Sequence, residues 1–242
     1  MELIISNKDR FCNKFLSPIT RIGEMAILSI KSNTISSLNK TADNNIILYA
    51  ETALENASDV NLNIPDVKKL IKILECIDGD EIKLKLHNNN IEYKSEKTRF
   101  KYHLLEDGII NIPNISIDKI NKFTYNTSFE VTTQTFNSLL KSSIFITDSN
   151  KVYLYSENGN IYADLTDRSR HNVDNYTTIL SNTYQGDELK KAIPFSFDVF
   201  RLITNLSSNI IKISVNSEKG IILFEITDSE YKLSYISTAM LQ

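Results

Sequence analysis

The sequence predicts an α+β protein made of two similar domains, and residues 64–104 give the clearest evidence for it. Apolar residues there first recur at the spacing of one helix face: Val67, Leu70, Ile71 and Leu74. From Ile82 onward the period changes to two, which is typical of strands, and it persists through Leu84, Ile91, Phe100 and Tyr102. The predicted unit is therefore one helix followed by an antiparallel meander of three strands.

The same unit returns near the C-terminus, over residues 193–235. A second apolar stripe has the same spacing: Val199, Leu202, Ile203 and Leu206. Asp66 aligns with Asp198, and Lys69 aligns with Arg201. A repeat at about half the chain length indicates duplication, and hence two domains rather than one.

The rest of the chain fits a βαβββ unit repeated within each half. In the first half, strands are predicted at 3–6, 26–30, 34–38 and 46–51, with a helix at 8–16 that Pro18 ends soon after. In the second half, a strand at 128–132 and a helix at 134–142 precede strands at 152–156, 161–165 and 176–180. Residues 106–127, with no helical period, read as a connector. The predicted domains are 1–105 and 128–242.

Composition narrows the class of protein. Of 242 residues, 41% are hydrophobic and 24% charged, as in an ordinary globular protein. The net charge of −3 gives no general attraction to nucleic acid, so any such role needs a segregated basic face. Lys68, Lys69 and Lys72 form such a face, with only Glu75 nearby.

Cysteines and targeting signals bear on the compartment. Cys12 and Cys76 are both predicted on buried helix faces, which fits a reducing environment. The N-terminus resembles no signal peptide, and no apolar run approaches the length that spans a membrane. We expect a cytoplasmic protein, or a nuclear one in a eukaryotic host, without membrane contact. The surplus of Asn, Ile and Lys is typical of AT-rich genomes such as many viruses carry.

Three stretches resemble the two-domain DNA sliding clamps, the family of proliferating cell nuclear antigen (PCNA) and its phage counterparts. They are KFLSPITRIGEMAILSIKSNTISSL, the connector GIINIPNISI and the ending EYKLSYISTAML. The resemblance implies a clamp fold with helices inside a ring and sheets outside. It also implies a non-enzymatic processivity factor without a cofactor. Its partners would be double-stranded DNA of any sequence, the replicative DNA polymerase, an ATP-dependent clamp loader and two further copies in a homotrimer.

The resemblance assigns the outward cations of the helices to DNA. They are Arg10, Lys14, Lys68, Lys69, Lys72, Lys141 and Arg201. Phosphate contacts without base contacts suit a ring that slides, because base readout would hold it at one sequence. The alternative is that these charges are a solvated helix face, as charged stripes usually are.

The resemblance also implies that the connector forms one wall of a pocket for partner peptides. The apolar residues assigned to it are Leu38, Ile46, Ile110, Ile112, Pro113, Tyr235 and Ile236. The alternative is that the isoleucines only hold the connector on the sheet.

A two-domain subunit exposes a sheet edge at each end, and unpaired edges seek strands. The resemblance to clamps implies that the edge near 98–105 pairs with the edge near 173–181 of the next subunit. Phe100 and Tyr102 on one side, and Tyr176 and Ile179 on the other, are the predicted apolar contacts.

The sequence leaves alternatives to the clamp. Asp78, Asp80 and Glu81 could serve a magnesium-dependent nuclease, although an Asp-Gly-Asp turn is the commoner explanation. His87 and His103 show no metal-ligand spacing, and neither does His171. A clamp-fold protein that acts as a monomer and a structural viral protein without a DNA role both stay open. We expect no enzyme, because the sequence has neither a phosphate-binding loop nor a nucleophile elbow.

Overall fold

The structure is a computed structural model that describes residues 2–55, 58–111, 113, 115–146, 150–204 and 208–240. Ile112 and Leu206, both singled out above, lie outside the described residues. The contacts divide the chain into two compact units. Unit 1 comprises Met1–Ile117 with Ser229–Leu233, and unit 2 comprises Asp118–Asp228 with Ser234–Gln242.

Unit 1 contains the βαβββ order twice, as predicted. The first copy has β1 (Glu2–Ile5), a helix in three segments, β2 (Ala26–Lys31), β3 (Thr34–Lys40) and β4 (Ile46–Ala53). Those segments are α1 (Lys8–Arg10), a π-helical segment (Phe11–Leu16) and α2 (Ser17–Ile22). The second copy has β5 (Val60–Ile64), α3 (Val67–Glu75), β6 (Ile82–His87), β7 (Asn90–Lys94) and β8 (Arg99–His103). The strands form two antiparallel arrays, β1-β6-β7-β8 and β4-β3-β2-β5.

Unit 2 repeats the order. After α4 (Ile117–Asn121) come β9 (Thr127–Thr132), α5 (Thr133–Lys141), a 3-10 helix (Ser142–Ile146), β10 (Lys151–Glu157), β11 (Asn160–Leu165) and β12 (Tyr176–Ser181). Then follow β13 (Gln185–Gly186), β14 (Ile193–Ser196), α6 (Phe197–Leu202), β15 (Ile210–Asn216), β16 (Ile221–Thr227) and β17 (Tyr231–Thr238). The first residues of β17, up to Leu233, belong to unit 1. The strand orders are β12-β11-β10-β14 and β13-β9-β15-β16-β17.

In each unit the core lies between the apolar faces of the helices and the sheets. In unit 1, Phe15 and Ile19 of the first helix are fully buried. In unit 2, the Phe200 ring lies 5.8 Å from that of Phe136 on α5 and 5.0 Å from that of Phe224 on β16. Burying each of these side chains stabilises the folded state by about 1.5–3 kcal/mol. This burial holds the helices against the strands.

The first helix is longer than predicted, and the expectation that Pro18 ends it is wrong. The Ser17 N–H bonds the Cys12 carbonyl five residues earlier, which is the wide turn of a π-helix. Pro18 directly follows this wide turn, at the start of α2, where the missing N–H is tolerated. The helix runs on to Ile22, so Arg21 becomes a helical residue.

Two further helices end earlier than the sequence predicts. α3 ends at Glu75, and Cys76 at its C-cap is exposed, so the prediction of two buried cysteines holds for Cys12 alone. Burial raises the pKa of the Cys12 thiol to about 12. α6 ends at Leu202, because Ile203 has extended backbone angles.

Among the described residues, the structure contains no helix whose length and apolar character would let it cross a membrane.

Candidate nucleic-acid interface and docking surfaces

The clearest basic surface lies on α3. The helix begins at its N-cap Asp66, whose carboxylate accepts the Lys69 N–H at 2.7 Å. Val67, Leu70 and Leu74 of its apolar stripe are buried and Ile71 is half-buried. Lys68, Lys69 and Lys72 are exposed. None of these three lysines forms an ion pair with any residue that the structure describes. The α3 face can therefore offer three cations to an external anion.

Arg21 extends this surface and was missed from the sequence. It lines a cleft of about 280 Å³ together with Lys68, Asp66, Gly23 and Glu24. The error followed from ending the helix at Pro18. A basic residue in the last turn followed by a glycine is itself a helix-stop signal, and it stands at Arg21-Ile22-Gly23.

The other two predicted cations of unit 1 lie around a different cavity. Arg10 Nε lies 3.0 Å from the Glu230 carboxylate, and its guanidinium lies 5.7 Å from the centre of the Tyr231 ring. Arg10 and Lys14 line a cavity of about 310 Å³ together with Phe11. Arg10 is therefore neutralised within the chain, unlike the α3 lysines.

The helices of unit 2 carry few cations. Lys141 is exposed at the end of α5. Arg201 of α6 donates to Asp198 Oδ1 at 2.9 Å and to Asn150 Oδ1 at 2.8 Å, and lies 4.9 Å from the centre of the Phe197 ring. The exposed faces of the unit 2 helices therefore contain two of the predicted cations, one of them paired with an acid.

A groove of about 660 Å³ contains part of the predicted partner-peptide pocket. It brings Leu38 of β3 and Pro113 of the connector together, and also contains Tyr49, Ile115 and Ile117. Its other lining residues are polar: Ser29, Lys31, Thr34, Ser36, Ser37, Ser116 and Glu51. The groove can accept an apolar side chain with polar groups around it.

The other residues assigned to that pocket do not line this groove. Ile46 is buried in the core of unit 1, because side chains alternate along β4 and the groove face is that of Tyr49. Ile110 is half-buried outside the groove. Tyr235 and Ile236 are buried in unit 2.

Both strands expected at subunit contacts end their sheets. β8 is the last strand of β1-β6-β7-β8, and β12 is the first of β12-β11-β10-β14. On β8, Phe100 stacks on Tyr93 with centroids 5.6 Å apart. Tyr102 differs from the expectation, because only 4% of it is exposed and its hydroxyl bonds the backbone of Asp66.

Exposed apolar residues lie on β12 and beside it. Ile179 is 41% exposed, and Tyr176, on the opposite face of the strand, stacks its ring on that of Phe145 at 5.3 Å. Ile144, which precedes Phe145 in the 3-10 helix, is 73% exposed. Phe145 and Ile144 were not predicted, because the sequence does not indicate that a 3-10 turn presents them beside this edge.

The acids considered for magnesium do not converge. Asp78, Asp80 and Glu81 are exposed, and Glu81 lies 3.3 Å from Lys83. In the part of the chain that the structure describes, no three His, Cys, Asp or Glu side chains group as metal ligands would. The turn itself is ordinary, with Gly79 at a φ of 86° that favours glycine.

The comparisons with known proteins identify the fold. No family model matches the sequence. No curated protein matches it either. Among solved structures, the chain superposes with a TM-score of 0.77 on the A. fulgidus PCNA bound to the C-terminal region of FEN-1, at 12% identity over 100% of this chain and 98% of that one.

Two further solved structures have the same fold. PCNA from Entamoeba histolytica gives a TM-score of 0.76 at 12% identity, over 99% of this chain and 98% of that one. A protein from Eubacterium rectale assigned as a DNA polymerase III β subunit gives 0.76 at 13% identity, over 100% of this chain. The chain spans 66% of that β subunit's length. The chain therefore has the fold of the DNA sliding clamps, which confirms the predicted fold class.

Proposed function

We propose that this protein is a DNA sliding clamp, a processivity factor that encircles duplex DNA and tethers the replicative polymerase. The observation that carries the proposal is the face of Lys68, Lys69 and Lys72 on a chain with the clamp fold. These lysines are exposed and unpaired among the described residues, although the net charge of the chain is −3. A segregated basic face on an acidic protein is the feature expected of a phosphate-binding surface.

The chemistry of the face suits sliding. A lysine ammonium attracts a phosphate as a point charge on a long stem, so it tolerates displacement along the backbone. Phosphate contacts hold the duplex without reading its sequence, and their strength falls as salt rises. The protein would then act through topology and weak electrostatic contact, with no bond made or broken.

We further propose that the ring is a homotrimer. A subunit with two clamp units would close a six-unit ring from three copies, through head-to-tail contacts of the β8 edge with the β12 edge of the next copy. The exposure of Ile179 on β12, and of Ile144 and Phe145 beside this strand, supports an interface at this edge. An ATP-dependent loader would open this ring, and the loader and polymerase would take turns at the groove of Leu38 and Pro113.

The test is a triple substitution, Lys68→Glu, Lys69→Glu and Lys72→Glu. The triple variant should bind a labelled 30-base-pair duplex more weakly than the wild type does. Fluorescence anisotropy over a salt series measures this binding. The slope of log K against log salt should flatten by up to about 2.7, because each lost phosphate contact removes about 0.9. Primer extension on a circular template with the cognate polymerase and loader should lose processivity.

The matched control replaces Lys83, Lys85 and Lys94 with Glu. It makes the same change of net charge at exposed residues of β6 and β7 rather than on a helix. The control should bind DNA nearly as the wild type does. If both variants behave alike, or if the α3 variant keeps full affinity and processivity, the α3 face is merely solvated and the proposal is wrong.

A further inference from the structure

We propose that two carboxylates of this chain, those of Glu230 and Asp198, compete with DNA phosphates for the helix arginines Arg10 and Arg201 and so keep the grip on DNA weak. The proposal rests on the proposed function, and it adds residues that limit the affinity. The two pairs belong to different units, since Arg10 and Glu230 lie in unit 1 and Arg201 and Asp198 in unit 2.

The Glu230 carboxylate is held in place by its backbone. The Glu230 carbonyl accepts hydrogen bonds from the Thr52 hydroxyl at 2.8 Å and from the Ala53 N–H at 3.4 Å. The side chain then reaches Arg10 Nε at 3.0 Å. Because β4 holds the acid, little ordering is needed to keep Arg10 neutralised.

The Asp198 carboxylate is held by a side-chain network. Asn150 Nδ2 donates to Asp198 Oδ2 at 2.5 Å, and Asn150 Oδ1 accepts from Arg201 at 2.8 Å. Arg201 also donates to Asp198 Oδ1 at 2.9 Å. The three side chains form a closed ring of hydrogen bonds through Nη1 of Arg201, so a phosphate that approaches this nitrogen competes with Asp198 for it.

The pairing distinguishes the two predicted arginines from the three lysines of α3. Both arginines have an acid partner, whereas the three lysines of α3 have none among the described residues. A guanidinium can bind a phosphate through two parallel hydrogen bonds, which holds it more firmly than an ammonium does. Neutralising Arg10 and Arg201 therefore weakens two contacts that would impede sliding.

The experiment measures binding of the full-length protein to the same 30-base-pair duplex over a salt series, with Glu230→Gln and Asp198→Asn as variants. An exposed ion pair stabilises by about 0.2–1 kcal/mol, so each variant should bind about 1.4- to 5-fold more tightly. The salt slope should steepen by about 0.9 for each arginine that gains a phosphate. Glu230→Asp, which keeps the charge, should restore much of the wild-type slope.

Two controls isolate the competition from the loss of a negative charge. Glu81→Gln removes an exposed acid paired with Lys83 at 3.3 Å in the same unit, and should leave the slope unchanged. In an Arg10→Met background, Glu230→Gln should give no increase in slope, because the arginine that it releases is absent.

Unchanged or weaker binding by both acid-to-amide variants would overturn the proposal, as would an equal gain from Glu81→Gln. The α3 lysine variant in the same assay separates this failure from that of the proposed function. If that variant loses affinity while Glu230→Gln gains none, only the competition is wrong. If the α3 lysines contribute nothing, the proposed function fails as well.

Discussion

At the scale of single residues, Tyr102 shows how one hydroxyl connects a strand to a helix. Its O–H donates to the Asp66 carbonyl at 2.7 Å and accepts from the Asp66 N–H at 3.1 Å. Asp66 is the N-cap of α3, the helix that presents the basic face. Tyr102 therefore fixes the start of the proposed DNA-binding helix from the β8 side of the core.

Tyr102→Phe should lower the free energy of unfolding by about 1–3 kcal/mol, because two hydrogen bonds at a buried site are lost. Tyr125→Phe is the matched control, since the Tyr125 hydroxyl is buried and has no hydrogen-bond partner among the described residues. Removing that hydroxyl should cost little stability or none. Urea unfolding measures the free energy of unfolding of both variants. Equal decreases in the two variants would mean that the hydrogen bonds to Asp66 contribute nothing to stability.

The same tyrosine should make stability depend on alkaline pH. Burial raises the pKa of Tyr102 from 10.0 to about 12. The folded state thus keeps this proton above pH 10, where the unfolded chain loses it. The contribution is fully present below pH 10 and is lost as pH rises through 12. The stability difference between wild type and Tyr102→Phe should therefore shrink between pH 10 and pH 12, and a constant difference would contradict this assignment.

At the scale of elements, strand alternation decides which residues reach the groove. The odd-numbered face of β4 carries Tyr49 to the groove, while Ile46 and Leu48 on the other face are buried. A choice of apolar residues by type alone placed Ile46 in the pocket. The period of two that predicts the strand also puts Tyr49 on the opposite face from Ile46, and it is Tyr49 that reaches the groove.

Leu38→Ser should weaken binding of polymerase or loader by about tenfold, or about 1.4 kcal/mol, if the groove takes an apolar anchor. Ile47→Ser is the matched control, because Ile47 is half-buried on the same unit's neighbouring strand without lining the groove. Processive synthesis with the cognate polymerase and the mass of the protein in solution would both be measured. Loss of synthesis by both variants, or by neither, would place the partner site elsewhere.

At the scale of the whole molecule, the sequence predicted the repeat but not every surface that the repeat creates. The four βαβββ units follow from hydrophobic periodicity, which survives duplication because each unit must bury the same faces. The extended first helix was missed, because the π-turn that accommodates Pro18 depends on packing rather than on local propensity. The pairing of Arg10 with Glu230 was missed for a related reason. These residues are more than 200 positions apart, and no local pattern relates them.

The proposed trimer depends on the apolar contact that Ile179 would make at the β12 edge. Ile179→Asp would place a charge where the next copy should cover an isoleucine, forfeiting about 1.5–3 kcal/mol of apolar burial. The dissociation constant of the subunit contact should rise more than tenfold, since every 1.4 kcal/mol is tenfold. Native mass spectrometry and sedimentation at micromolar concentration should then find three copies for the wild type and single copies for the variant.

Ile210→Asp is the control for this change. Ile210 is 47% exposed, comparable to Ile179, but it begins β15 rather than lying on the β12 edge. This variant should remain a trimer, because the charge stays in solvent. A wild type that is monomeric at these concentrations would instead support a clamp-fold protein that holds DNA by charge alone. A trimer that survives Ile179→Asp would mean that copies join through another surface, because an aspartate cannot be covered by an apolar contact without a large desolvation cost.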